Sequence, residues 1–291
     1  MTQSDSAQRF LFENTDMRGE RVQLDQSLQD ALAPHAYPDA IRTLIGEMAS
    51  AAVLLSTTLK FEGTLTLQAR SNGPVSVLMV ECTDKRTFRA IARWDDAQLS
   101  PTDIDLHALL PEGQLVMTID PVKGKRYQGI VALTGDTLGE CFASYFEQSE
   151  QLPTRLWLSS NGEKAAGFLL QALPAQVEAD KTARAERWEH LTVLADTLKD
   201  EEQLELPTEE LLHRLYHEED IRLFDAEPVK FHCNCSRERT GSALTTIDPA
   251  DVREILEESG QIDLDCQFCN TRYIFTEEDV NKLLGAGETR H

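Results

Sequence analysis

Positive charge is scarce in this chain: Lys and Arg total 28 against 50 Asp and Glu, for a net charge of −22. Nucleic-acid binding draws most of its affinity from basic side chains that neutralise phosphates. This chain repels such a partner, and Arg237 with Arg239 make too thin a basic patch to reverse the sign. Long apolar runs are also missing. The longest, around Met48 to Leu55, falls far short of the roughly 20 residues that span a bilayer. Met1 to Arg18 is polar and charged, without the apolar stretch of a signal peptide. The expectation is a soluble, cytoplasmic protein with neither nucleic acid nor membrane as a partner.

Catalytic signatures are equally absent. There is no Gly-rich phosphate loop and no G-x-S-x-G elbow. Acidic residues are so abundant that no carboxylate pair stands out as an acid/base couple. His213 and His217 lie one helical turn apart in His-Arg-Leu-Tyr-His. A zinc protease needs Glu directly after the first histidine, and Arg214 stands there. The pair reads as the polar face of a helix, and the sequence predicts no enzyme.

Cysteine is sparse, with six in 291 residues, which excludes a disulfide-stapled scaffold and fits a reducing compartment. Cys82 and Cys141 stand apart and read as small buried apolar residues. The other four form two tight pairs, Cys233-Asn-Cys235 and Cys266-Gln-Phe-Cys269. Four thiols so arranged suit a tetrahedral Zn²⁺ with Zn–S bonds of about 2.3 Å, and a full thiolate shell leaves no open position for Lewis-acid catalysis. The same atoms can also close as two local disulfides. His232 adjoins Cys233, but four thiolates already complete a shell. A thioredoxin-like reading of Cys266-Gln-Phe-Cys269 lacks a βαβ context.

The chain divides by pattern. Residues 24–59 read as two helices, the first capped by Asp25 and ended by Pro34, the second opened by Pro38 and carrying Ile41, Leu44, Ile45, Met48, Ala52 and Leu55. Alternating runs follow at residues 65–69, 75–79, 88–94, 115–119 and 127–133, with Asn72-Gly73 as a hairpin turn. A helix over about 137–149 precedes a last hairpin around Asn161-Gly162. Residues 1–175 are therefore expected to form one α+β domain with a mainly antiparallel sheet packed with helices. Residues 176–230 are acidic and carry apolar stripes at helical spacing, Leu191, Leu194 and Leu198, then Leu211, Leu212, Leu215 and Tyr216. This reads as an amphipathic helical linker, whose stability depends on what it packs against. Residues 231–291 are too few to rely on a core alone. Zinc contributes on the order of 10–16 kcal/mol to small zinc modules, more than the whole stability of a typical domain. Oxidising the thiolates would unfold the module and remove support from the linker.

These residues resemble the 33-kDa heat-shock redox-regulated chaperone family, also called the redox-regulated chaperonin, over nearly the whole length. The cysteine spacing is the most specific part. Arg9-Phe10-Leu11-Phe12-Glu13, Tyr127-Gln128-Gly129, Ser149-Glu150-Gln151-Leu152-Pro153-Thr154-Arg155 and Arg214-Leu215-Tyr216-His217-Glu218-Glu219 are also similar to the family's. The resemblance implies one Zn²⁺ on Cys233, Cys235, Cys266 and Cys269 when reduced. It implies disulfides Cys233–Cys235 and Cys266–Cys269 when oxidised, with zinc release and unfolding of the C-terminal module and linker. It further implies an ATP-independent holdase for unfolding client proteins, with a homodimer as an oxidised form. The competing readings are a zinc-ribbon adaptor for a folded partner and a dithiol oxidoreductase.

Overall fold

The computed structural model describes residues 4–100 and 105–287. The chain divides into two compact units, Met1–Phe231 and His232–His291. The first begins with β1 (Ser6–Phe12), β2 (Met17–Leu24), α1 (Gln26–Leu32), α2 (Asp39–Thr58), β3 (Gly63–Arg70), β4 (Val75–Thr83) and β5 (Thr87–Trp94). It continues with α3 (Leu106–Leu109), β6 (Gln114–Pro121), β7 (Tyr127–Ala132), α4 (Leu138–Tyr145), β8 (Thr154–Ser160) and β9 (Ala165–Ala172). Then come α5 (Lys181–Ala195), α6 (Asp200–Glu205), α7 (Thr208–Tyr216), β10 (Ile221–Leu223), β11 (Glu227–Pro228) and β12 (Lys230–Phe231).

Two sheets form in place of one. The first runs β10-β1-β2-β9-β8, with β11 also on β1, and the second runs β12-β5-β4-β3-β6-β7. Every pairing is antiparallel except the short β12–β5 contact. Helix α2 packs against strands of both sheets. It is long and apolar enough to cross a membrane by composition, but it serves as the core helix. Its small residues Gly46, Ala49, Ala51 and Ala52 are buried alongside Ile45 and Leu54, so both sheets approach it closely.

Three local expectations shift. Met1 to Arg18 reads as polar, yet residues 6–24 form the β1–β2 hairpin, because Glu20 and Arg21 are buried in β2 and hide the alternation of apolar residues. Asp25 sits at the N-cap of α1 without a cap bond of its own. The carboxylate of Asp5 accepts from the N–H groups of Asp25, Gln26 and Ser27 and from the Ser27 hydroxyl. Asn72-Gly73 lies in a longer connection, where the Ser71 hydroxyl accepts from Gly73 N–H at 2.8 Å. At Asn161-Gly162 the turn is tight, with Gly162 at φ +81°, a conformation that favours glycine.

Helices α5 and α7 lie on the first sheet. Leu191 and Ala195 join Leu211, Leu212, Leu215 and Tyr216 over Phe10, Phe12, Met17, Phe168 and Leu170 in one apolar cluster. Gly19 makes room there, since a Cβ at that position would sit 1.9 Å from the Phe10 ring. The Tyr216 hydroxyl donates to the Leu191 carbonyl at 2.9 Å, tying α7 to α5. Asp16 accepts from the N–H groups of Gln176, Val177 and Glu178, which fixes where the chain leaves β9.

The second unit holds α8 (Arg237–Gly241), α9 (Pro249–Ser259), the hairpin β13 (Gln261–Asp265) and β14 (Arg272–Thr276), and α10 (Glu277–Gly287). Its buried apolar core is Leu244, Val252, Leu256, Ile262, Phe275 and Val280. Pro249 opens α9 behind the Asp248 cap, and Gly260 at φ +73° ends it.

Candidate metal centre

Two loops of the second unit carry the cysteines. Cys233 and Cys235 precede α8, whose first turn Ser236 caps by accepting from Arg239 N–H. Cys266 and Cys269 form the tip of the β13–β14 hairpin. There Cys266 N–H donates to Thr271 O at 2.9 Å, and Asn270 N–H donates back to Cys266 O at 2.8 Å. Asn270 takes a left-handed φ of 55°, which asparagine tolerates better than most residues. Below the tip, Arg237 stacks 4.6 Å from the Phe275 ring centroid and reaches Asp279 at 2.8 Å. That contact pins α8 to β14 and α10.

All four sulfurs lie within 4.8 Å of one another. Cys233 Sγ is 3.7 Å from Cys266 Sγ, and Cys235 Sγ is 3.5 Å from Cys269 Sγ. A regular tetrahedron with bonds of about 2.3 Å has sulfur–sulfur edges of about 3.8 Å. A disulfide would bring them to about 2.05 Å, and all six cysteines are free. The donor set therefore fits a tetrahedral thiophilic ion. His232 lies outside the cluster, as do Cys82 and Cys141.

The surroundings favour thiolate on Cys269. Burial raises the Cys269 thiol, but bonds from the Thr271 hydroxyl and N–H and from neighbouring thiols outweigh it and lower it to about 7. Thr271 Oγ1 sits 3.2 Å from that sulfur, and the Tyr273 hydroxyl donates to Cys235 Sγ at 3.1 Å. The bond to Cys235, together with burial, pushes the Tyr273 hydroxyl up to about 12, so it stays a donor. Cys266 is more buried, and burial raises it. Cysteine spacing gave no warning of Tyr273 or Thr271; the second strand position of β14 and the hairpin tip place them beside the sulfurs.

The isolated cysteines serve packing. Cys82 is fully buried, its thiol donates to the Ser56 hydroxyl, and burial pushes it up to about 12. Cys141 is buried on α4 and raised mainly by burial. Both are protected thiols rather than reactive ones.

Fold and site together define an α+β protein with a small four-cysteine module at its C-terminal end. Residues 5–276 match the family model described as Hsp33 protein. The chain is 54% identical to a 33 kDa chaperonin of Pseudomonas aeruginosa, with both chains fully covered. It is 52% identical to one of Ectopseudomonas mendocina, covering 99% of this chain and all of that one. The crystal structure of a 33 kDa chaperonin from Thermotoga maritima superposes with a TM-score of 0.81 at 22% identity, covering 98% of this chain and 99% of that one. The chain belongs to the Hsp33 family.

Proposed function

We propose that this protein is a redox-regulated, ATP-independent holdase, and that Cys233, Cys235, Cys266 and Cys269 are its zinc-binding switch. The tetrahedral spacing of four thiols in a unit whose buried apolar cluster has six members among the described residues carries the reading. Zinc, when bound, keeps the sulfurs as thiolates and supplies most of the folding free energy of such a module. The chain's own groups do the rest. Thr271 and Tyr273 place hydrogen-bond donors on the sulfurs, and a thiolate is the form that attacks peroxide. Each disulfide joins two thiolate sulfurs. Two electrons pass to one peroxide, whose O–O bond breaks, and two protons complete two waters. Cys233–Cys235 and Cys266–Cys269 each close within one loop, and a bonded pair no longer spans a tetrahedral edge.

The working division is a core at residues 1–175, a linker at 176–230 and a switch module at 231–291. Loss of the module's fold releases the chain that precedes Cys233, and the linker opens with it. That uncovers Leu211, Leu212, Leu215 and Tyr216 together with Phe10, Phe12 and Phe168 on the sheet beneath. Unfolding clients expose matching apolar segments, and a disordered linker can adapt to many of them. The net charge of −22 keeps such a sticky protein dispersed. The proposed setting is the cytoplasm, with a homodimer as an oxidised form.

One sample tests this. Treated with peroxide and mild heat, the reduced protein should release one zinc per chain, lose four free thiols and then suppress the light scattering of an unfolding client. Untreated protein should not suppress it. Full zinc release without any effect on client scattering refutes the holdase.

A further inference from the structure

We propose that His213 and His217 form a second metal site, taking a divalent ion of the Zn²⁺ and Ni²⁺ class and pinning α7 in its helical form. The two rings lie on one face of the helix with centroids 6.0 Å apart and planes at 69°. Both residues are exposed, and His217 keeps helical dihedrals as the C-cap (φ −62°, ψ −16°). Helical side chains lean toward the N-terminus, so the His217 ring reaches back over His213. Imidazoles at i and i+4 are the spacing with which a helix chelates such an ion, with Zn–N bonds of about 2.0–2.1 Å. Neither exposed ring is held by core packing, so chelation asks only for side-chain rotation, with water filling the remaining positions.

The surroundings suit a cation. The pair lines a shallow depression of about 260 Å³ whose rim also carries the carboxylates of Glu209 and Glu219. Arg214 is engaged away from the depression, with Glu202 at 2.5 Å, while Glu219 is already paired with Arg187 at 2.7 Å, which leaves Glu209 as the rim carboxylate that favours an added cation. His190 on α5 is turned to Glu219 at 3.3 Å and does not line the depression. Arg214, which removes the protease reading, does not obstruct two-point chelation, because the catalytic glutamate is not a ligand.

The ion requires the helix. An unfolded segment does not hold two imidazoles together, so the metal binds the folded linker and stabilises it by mass action. The consequence for activity rests on the holdase reading: an ion on α7 slows the opening that oxidation sets off.

The test uses reduced, zinc-loaded full-length protein at pH 7.5, titrated with Ni²⁺ by equilibrium dialysis while bound nickel and retained zinc are both counted. One Ni²⁺ per chain should bind without displacing zinc. At a hundredfold excess over its dissociation constant, amide exchange across residues 208–217 should slow by about a hundredfold. His213→Gln and His217→Gln should each weaken nickel binding by about a hundredfold, the cost of losing one arm of a chelate, whereas His190→Gln should not. Nickel taken up only by displacing zinc overturns the site, as does full affinity in the His213→Gln and His217→Gln proteins. Unchanged exchange over 208–217 overturns the clamp. In the peroxide assay Ni²⁺ should delay client protection by the native sequence but not by His213→Gln, and equal delay in both overturns the regulatory role. Nickel that binds with all these signatures to a chain that never protects a client would support the site and remove the holdase reading alone.

Discussion

Arg21 is 2% exposed, and its guanidinium bonds to backbone carbonyls rather than to a carboxylate. Its Nη2 donates to the carbonyls of Gln203, at 3.0 Å, and Leu206, at the end of α6. Nη1 has no partner among the described residues. Burial pushes the side chain down to about 10, against the pull of Glu209, so it stays charged at neutral pH. Two effects oppose each other in Arg21→Met. Losing charge-assisted bonds costs about 1.5–3 kcal/mol each, while relieving a desolvated charge returns several kcal/mol. The global change should therefore stay within about 2 kcal/mol. The local change should be plain, because the α6 carbonyls lose their donor. Amide exchange over residues 200–206 should accelerate while exchange in α2 stays fixed, and unaltered exchange over 200–206 would show that Arg21 does not anchor α6.

Helix α6 also meets the core through like charges. Asp200 accepts from the Ser159 hydroxyl at 2.7 Å, and Gln203 donates to the same oxygen at 2.8 Å. Across a cavity of about 250 Å³ lies Glu47 of α2, pushed up to about 7 by burial and by the Asp200 carboxylate. A carboxyl raised in the folded state contributes stability that is fully present below its unfolded value, about 4.3. That contribution is lost as pH rises through about 7. Ionised Glu47 thus weakens the seat of α6 in mildly alkaline solution. Glu47→Gln should stabilise the protein at pH 8 by on the order of 1–2 kcal/mol and give no gain at pH 4.5, measured by denaturant unfolding at both pH values. An equal gain at both would assign the effect to packing. The helices themselves were legible in the sequence: Leu211, Leu212, Leu215 and Tyr216 fall on the buried face of α7. Their seat was not. It is built from Phe10, Phe12 and Met17 on the hairpin whose charged residues masked its strands, and from Phe168 more than 150 residues further on. No local period encodes a contact across that separation. The cysteine cluster was legible because its two halves each announce themselves by close spacing. The donors Thr271 and Tyr273 were not, since Tyr273 meets Cys235 only when the β13–β14 hairpin and the loop before α8 come together.

The two units differ in what holds them. In the first, α2 sits between two sheets in a core that runs from Ala7 to Val229. The second has a buried apolar cluster of six side chains among the described residues, and a metal contribution of about 10–16 kcal/mol would be as large as the roughly 5–15 kcal/mol that stabilises a typical domain. Removing zinc from reduced protein with a chelator should therefore raise amide exchange across residues 232–287 to nearly unfolded rates, leaving α2 and strands β3 to β6 protected. Helices α5 to α7 stand between these extremes. Their apolar faces are covered, but α5 buries only Leu191, Thr192 and Ala195 along its length, so packing holds it weakly. On warming the chelated protein, protection over residues 181–216 should fail well before that of α2. If 232–287 stays protected without metal, the thiolates do not hold that unit together. If 181–216 survives as long as α2, the linker belongs to the core and opening the metal centre cannot expose it.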